Sequence, residues 1–331
     1  MTIKHIVLAG GGPAGFVTYG ALRELHINKF WNISDIKSIY GCSIGAYMGL
    51  VISLGYEWDI LDNYFIKRPW NKLTNVTPDM LIDLMTSRGI FGLEIVEASL
   101  EPLLSAKGLS CGTSLLELYE YTGIELIAYT VNINDSMLTK IPLSYKTFPE
   151  LSISLAMAMS MAVPVLFAPI IYNGGCYVDG GLLTNLPVND CLNEQKCDKD
   201  EIFVMRYEWE ADKKLIVNES SSLVDYLITF LRKAQLSLSS EKEQVHLPYW
   251  LETKMVTCNG IHNWINILGD EEMRKELISQ GKRDAIQFML DKCEGLYDLS
   301  SREEREESIT SDNVEGVSGQ SEMQDDEGTM G

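Results

Sequence analysis

Few features that mark a specialised protein class are present in this 331-residue chain. Its seven cysteines, at 42, 111, 176, 191, 197, 258 and 293, are an odd and scattered set without a CxxC pair. That spacing signals neither a disulfide framework nor a zinc site, no metal is expected, and a reducing cytoplasmic setting is favoured. Basic residues are scarce: Lys and Arg number 27 against 47 Asp and Glu, a formal charge of −20. Phosphate backbones require clustered cations, so nucleic acid is not an expected partner. The same balance weakens attraction to an anionic membrane, leaving peripheral contact through an apolar rim. The opening Met1-Thr2-Ile3-Lys4-His5 has no basic n-region or long apolar h-region, so no secretory signal is expected. Charge is missing altogether from Leu151 to Ile171, a stretch long enough to span a bilayer. Pro164 and Pro169 interrupt it and Ser152, Ser154 and Ser160 dilute it. A buried core helix followed by a buried strand is therefore expected there, and no transmembrane span.

What is present describes an ordinary globular core, with 46% hydrophobic residues. Apolar runs alternate with helical patterns: strand 3–9, helix 14–27, strand 36–41, helix 44–55, a helical, loop-rich stretch over 57–120, and strands near 124–131 and 138–142. A helix at 151–162, a strand at 165–171, a Gly- and Asn-rich loop at 173–187, a strand at 202–207 and helices at 222–241 and 270–293 follow. Such alternation predicts an α/β fold, a mostly parallel central sheet covered by helices on both faces. The aromatic-rich part of 57–116, with Trp58, Tyr64, Phe65, Trp70, Leu81, Met85 and Phe91, reads as helices packed on the sheet more readily than as a lipid-facing lid. Residues 1–299 read as one domain. From Ser300 onward ten acids stand against two arginines with almost no large apolar residues, the composition of a disordered tail.

Two glycine motifs compete to define the chemistry. Residues 6–16, IVLAGGGPAGF, run from a strand through Gly10-x-Gly12-x-x-Gly15 into a helix, as a dinucleotide-binding unit does. That reading needs an acid to close the second strand and hold a ribose, yet the strand ends in Tyr40-Gly41-Cys42-Ser43 and Asp35 stands at its start. An FAD- or NAD-binding protein is thereby disfavoured, and no cofactor is expected. Gly41-Cys42-Ser43-Ile44-Gly45 instead has the strand, tight turn and helix of a nucleophile elbow, which lifts a serine hydroxyl out at the sheet edge. The amides of Gly10, Gly11 and Gly12 can then face the oxyanion formed when Ser43 attacks an ester.

A serine nucleophile needs a base. His5 and His26 sit where a structural role is expected, and His246 and His262 fall in segments that read as irregular. Asp179, in Tyr177-Val178-Asp179-Gly180-Gly181, has no charged neighbour between Glu150 and Asp190. A carboxylate in such apolar surroundings is costly to ionise, which moves its pKa toward that of a useful base. An Asp-Gly turn in a surface hairpin is the alternative reading of the same residues.

Taken together, Gly10–Gly15, Gly41–Gly45 and Asp179–Gly181 resemble, in order and distance, the motifs of the patatin-like phospholipases. The stretches TSLLELYEYTGIELIAYTVNIND (113–135) and AMSMAVPVLFAPI (158–170) also look like that family, so the resemblance covers roughly residues 5–210. It implies a three-layer α/β/α fold and a lipid acyl hydrolase of phospholipase A type, acting on lipid at a membrane or micelle surface. Ser43 would be the nucleophile, Asp179 the base of a Ser–Asp dyad without histidine, and Gly10, Gly11, Gly12 and the Ile44 amide the oxyanion donors, with no metal in catalysis. One position departs from the pattern: Ala14 stands where the family usually has Arg or Lys. A catalytically silent binding module is the competing class of function.

Overall fold

The computed structural model describes residues 2–73, 86–209, 216–219, 221, 223–239, 245, 247–255 and 261–292. The tail from Ser300, together with Leu81 and Met85, lies outside them. Within them the strands are β1 (His5–Leu8), β2 (Ser38–Cys42), β3 (Gly89–Phe91), β4 (Glu125–Asn132), β5 (Thr139–Leu143), β6 (Val165–Phe167), β7 (Ile170–Tyr172), β8 (Gly175–Asp179), β9 (Ile202–Trp209) and β10 (Tyr249–Met255). One sheet runs in the order β10-β9-β1-β2-β4-β8-β7, with β5 paired to β4. From β10 to β4 all neighbours are parallel, while β8 is antiparallel to both β4 and β7. Every residue of β1, β2 and β4 is buried, which requires cover on both faces and explains their continuous apolar runs. The fold is the expected α/β architecture with a mixed, mostly parallel sheet.

Several segments differ from their sequence reading. The uncharged stretch 151–171 divides into a helix, Ile153–Met161, and two short strands where one is expected. Pro169 has no amide to donate, so the ladder stops there: β6 pairs with β3 in a separate sheet and β7 with β8. No described helix is long and apolar enough to cross a membrane. Within the Gly- and Asn-rich region 173–187 read as a loop lies β8, and after it a helix, Val188–Gln195, forms where no element is expected, its polar sequence hiding its single buried face. Further on, β10 and the helix Ile261–Gly269 occupy segments read as irregular. In β10 burial alternates along the strand, but Glu252 and Lys254 on its outer face blur the apolar signal.

Residues Met1–Ala285 form one compact unit that contains the sheets and the site below. Ile286–Gly331 form a second, of which 286–292, the last turns of a helix over 271–292, are described. Trp58 packs against Tyr19, His26 and Trp31, with ring centroids 5.9, 5.4 and 6.3 Å away, and Phe65 is buried, so these aromatics fill the core.

Arg274 is an unexpected member of that interior. It is buried, and its guanidinium donates to the carbonyls of Phe65 (3.1 Å) and Ile66 (2.6 Å) and to that of Leu268 (2.7 Å). These oxygens lie in the turn Asn63–Lys67 and at the end of the helix Ile261–Gly269, where carbonyls have no intrahelical partner. One cation thus caps two helical ends and satisfies both negative dipole ends. Arg274→Met is expected to leave these oxygens buried and unpaired, lowering stability by about 3 kcal/mol or more, read as a drop in the urea midpoint at unchanged m value.

Candidate active site

Ser43 sits between the end of β2 and the helix Ile44–Ser53, with φ +52° and ψ −126°. A non-glycine residue in that region is strained by about 1–3 kcal/mol, and the surrounding packing must hold it there. Gly45 makes the turn possible: a Cβ on it would lie 2.4 Å from the Leu8 carbonyl oxygen of β1. As the first residue of the helix cap, Ser43 could use its hydroxyl to cap the helix, yet it makes no such bond. Its amide donates to the Ser160 hydroxyl at 3.0 Å, which fixes the elbow against the helix Ile153–Met161.

The glycine loop meets Ser43 across β1, but its amides are not equivalent. Gly10 donates its N–H to the Asn185 carbonyl at 3.2 Å, and its own carbonyl accepts from Asn185 Nδ2 at 3.1 Å. Gly10 is therefore a clamp that ties the loop to the turn after Asp179, and its amide does not face an oxyanion as expected. Among the described residues no hydrogen bond engages the amides of Gly11 and Gly12, and Gly12 and Gly15 line the same cavity as Ser43 and Ile44. At Gly12, φ is +54° and an added Cβ would lie 2.4 Å from the Trp264 ring. Gly12→Ala combines backbone strain with displacement of that ring. A 100- to 1,000-fold fall in kcat/KM for a soluble ester, roughly the cost of one oxyanion donor, is the expected outcome. Ala14 is fully buried and its carbonyl accepts from the Tyr207 hydroxyl at 3.0 Å, so the place of the family's usual cation is closed interior here.

Asp179 ends β8 and comes beside Thr130 of β4, one residue beyond the Tyr129 that pairs with Cys42. This register brings it to the elbow. Its exposure is 6%, that of Ser43 7%. Oδ1 accepts from the Gly181 amide at 2.7 Å and from the Cys42 thiol at 3.6 Å. Oδ2 is buried without a well-formed hydrogen bond. Burial pushes the Asp179 carboxyl up to about 6, against the opposing pull of the Ser43 hydroxyl, the Gly181 amide and the Cys42 thiol. The Ser43 hydroxyl is thus close enough to favour the carboxylate without being locked to it, a looseness common before substrate binds. Gly180 lets the turn close, since a Cβ there would meet the Tyr129 carbonyl oxygen at 2.3 Å.

Ser43 opens onto a cavity of about 130 Å³ whose walls include Phe65, Trp70, Phe91, Met161, Phe167 and Trp264. No charged side chain lines it among the described residues. Phe167 and Met161 come from the stretch 158–170, while Trp264 comes from a helix that the motifs did not signal. Asn185, Ser160, Cys42 and Trp264 are the site residues that sequence reasoning missed. Asn185 had a weak signal, its place six residues after Asp179 in a glycine-bounded turn.

The histidines are elsewhere. His5 Nδ1 is 2.7 Å from the Ser38 hydroxyl, and His26 Nδ1 accepts from the Trp58 indole at 2.9 Å. His246 lies outside the described residues, and of His262 only its backbone place in the helix Ile261–Gly269 is described. His5, Cys197 and Glu201 bring three ligand-type atoms within 4.8 Å of one another, a grouping the spacing did not signal. It lies at the opposite, amino-terminal end of β1, and Glu201 is already paired with Lys4.

The family described as patatin-like phospholipase matches residues 6–192. The chain belongs to that family, one of lipid acyl hydrolases. It is 30% identical over 203 residues to the probable lipid hydrolase 463L of Invertebrate iridescent virus 6, covering 59% of this chain and 67% of that protein. To the uncharacterized protein R571 of Acanthamoeba polyphaga mimivirus it is 29% identical over 188 residues, 56% of this chain and 60% of the other. Among solved structures, VipD from Legionella pneumophila matches 88% of this chain and 67% of its own with a TM-score of 0.51 at 14% identity, a likeness of fold. The dinucleotide-binding alternative gives way to this family, as the elbow at the end of β2 already indicates.

Proposed function

We propose that the chain hydrolyses fatty-acyl esters of phospholipids or related lipids through a Ser43 acyl-enzyme, with Asp179 as the base. The observation that carries this reading is the pairing of a strained, uncapped serine with a buried carboxylate whose Oδ2 has no bond of its own. Oδ2 takes the Ser43 proton as Oγ attacks the ester carbonyl. The oxyanion forms against the Gly11, Gly12 and Ile44 amides, where the helix dipole adds positive potential. When the tetrahedral species collapses, the carbon–oxygen bond to the leaving alcohol breaks and Asp179 returns the proton to that alcohol. Water then attacks the acyl-enzyme, gives a proton to Asp179 and frees the fatty acid, and Ser43 recovers its proton. The uncharged cavity suits the acyl chain, since it offers no partner for a charged head group.

The reading is tested by exposing the folded protein to a fluorophosphonate probe and identifying the products of a mixed lipid panel by mass spectrometry. Labelling at Ser43 with release of free fatty acid is expected; a folded protein that takes no label is the binding module instead. The pH dependence has a defined sign. Asp179 acts only when ionised, and its carboxyl titrates at about 6. The log of kcat/KM should therefore rise with unit slope below pH about 6 and level above it, where a base with an ordinary carboxylate pKa would already be on its plateau at pH 5.

A further inference from the structure

Resting on the dyad proposed above, we infer that Cys42 is a positioning residue: its thiol and the Gly181 amide occupy Asp179 Oδ1 together, so that Oδ2 is the oxygen left to take the Ser43 proton. The variable second position of the Gly-x-Ser-x-Gly elbow thereby acquires a role in the chemistry, and it does so through the register of the sheet. Cys42 pairs with Tyr129 of β4, and Asp179 pairs with the next residue, Thr130, from the other side. The Cys42 Sγ reaches Asp179 Oδ1 at 3.6 Å, the range of a sulfur hydrogen bond, and both side chains are buried.

The two oxygens of the carboxylate are treated differently. Oδ1 receives one bond from its own turn, at 2.7 Å, and one from the strand that carries the nucleophile. Oδ2 receives none. A carboxylate held at one oxygen from two directions can neither rotate nor exchange its oxygens, so the unshared oxygen stays turned to the reacting hydroxyl. Burial raises the Cys42 thiol well above its usual range, so it stays protonated and can only donate to the carboxylate. The groups facing Asp179 from the packed elements are otherwise uncharged: Ser43 from the elbow, Thr130 from β4, Asn185 from the following turn, and Gln235, whose Nε2 donates to the Gly181 carbonyl at 2.5 Å. Among the described residues no neighbouring charge masks the effect of the thiol.

The test is the pH profile of kcat/KM for a soluble ester in the full chain. Cys42→Ala and the bulkier Cys42→Val both remove the donor, which destabilises the charged form of Asp179. Each should move the acid limb upward by about half a pH unit, the fraction of a full unit suited to a weak S–H donor, while the plateau persists. A folded variant of either kind whose limb coincides with the wild type overturns the proposal, even if its plateau is lower, because a purely structural role would scale the profile without moving it. A second measurement needs no change at Cys42. In Asp179→Asn the thiol loses its charged acceptor, so one S–H stretching band in the infrared spectrum should shift to higher frequency; an unchanged set of S–H bands also overturns it. Failure of the underlying dyad is distinguished by Ser43→Ala or Asp179→Asn that retain hydrolysis, an outcome the limb positions of the Cys42 variants do not affect.

Discussion

Ser43→Ala is expected to abolish ester hydrolysis and fluorophosphonate labelling while the protein stays folded: rates should fall on the order of 10⁵- to 10⁶-fold, as when a nucleophile is lost from a set of groups that act as a unit. The fold should survive because the hydroxyl contributes no cap to the helix Ile44–Ser53, and the tie that holds the elbow, to the Ser160 hydroxyl, uses the backbone amide of residue 43. Alanine keeps that amide. It also keeps the strain, since φ of +52° disfavours any side chain. Ser43→Gly removes both hydroxyl and strain, and a melting temperature above that of the alanine variant is expected, equivalent to about 1 kcal/mol. The comparison of the two separates the conformational cost of the elbow from its chemistry. Circular dichroism melts beside a p-nitrophenyl ester assay suffice.

Asp179→Asn should reduce kcat/KM by about 10⁴-fold and remove the acid limb at the same time. An amide cannot accept the Ser43 proton, and no histidine among those with described side chains reaches the site. Substantial activity with a surviving limb would return the role of base to His246 or His262. The same substitution carries an opposite effect on stability. The Asp179 carboxyl titrates at about 6 in the folded chain against an ordinary value of 3.8, so the native state binds its proton more tightly than the unfolded state does. Its stabilising contribution is fully present below pH 3.8 and is lost as pH rises through about 6. At pH 8 the wild type therefore bears the cost of a buried, half-satisfied charge that the asparagine variant lacks. The variant should be more stable there by one to a few kcal/mol, on the order of the pKa displacement, with the advantage vanishing in acid. Denaturant titrations at the two pH values check the sign.

Much of the site is legible in the sequence because its parts are local. The elbow needs a glycine on each side of a serine within five residues, and the structure shows why: Gly41 and Gly45 are the points where backbone meets backbone, the former 2.5 Å from the Ala46 nitrogen by its absent Cβ. The Asp179 turn is equally local, its carboxylate accepting from the amide two residues on. The strands β1, β2 and β4 announce themselves as apolar runs for the reason that both their faces are covered. Elements whose outer face is polar do not, as β10 and Val188–Gln195 illustrate, because a pattern half devoted to solvent resembles a loop.

By itself the sequence determined the α/β class, the order of the glycine loop, serine elbow and aspartate turn, and the membership that these imply, since each depends on backbone conformations set by a few adjacent residues. Only the tertiary structure decided which atoms are available to act. Asn185 engages the Gly10 amide from 175 positions away, Cys42 and Gly181 leave Oδ2 as the unbonded oxygen of Asp179, and Trp264 completes the wall of the cavity beside Ser43 from the far end of the chain. The physical reason is that a hydrogen-bonding group is free or engaged according to what packs against it in space, and sheet register alone brings those partners together.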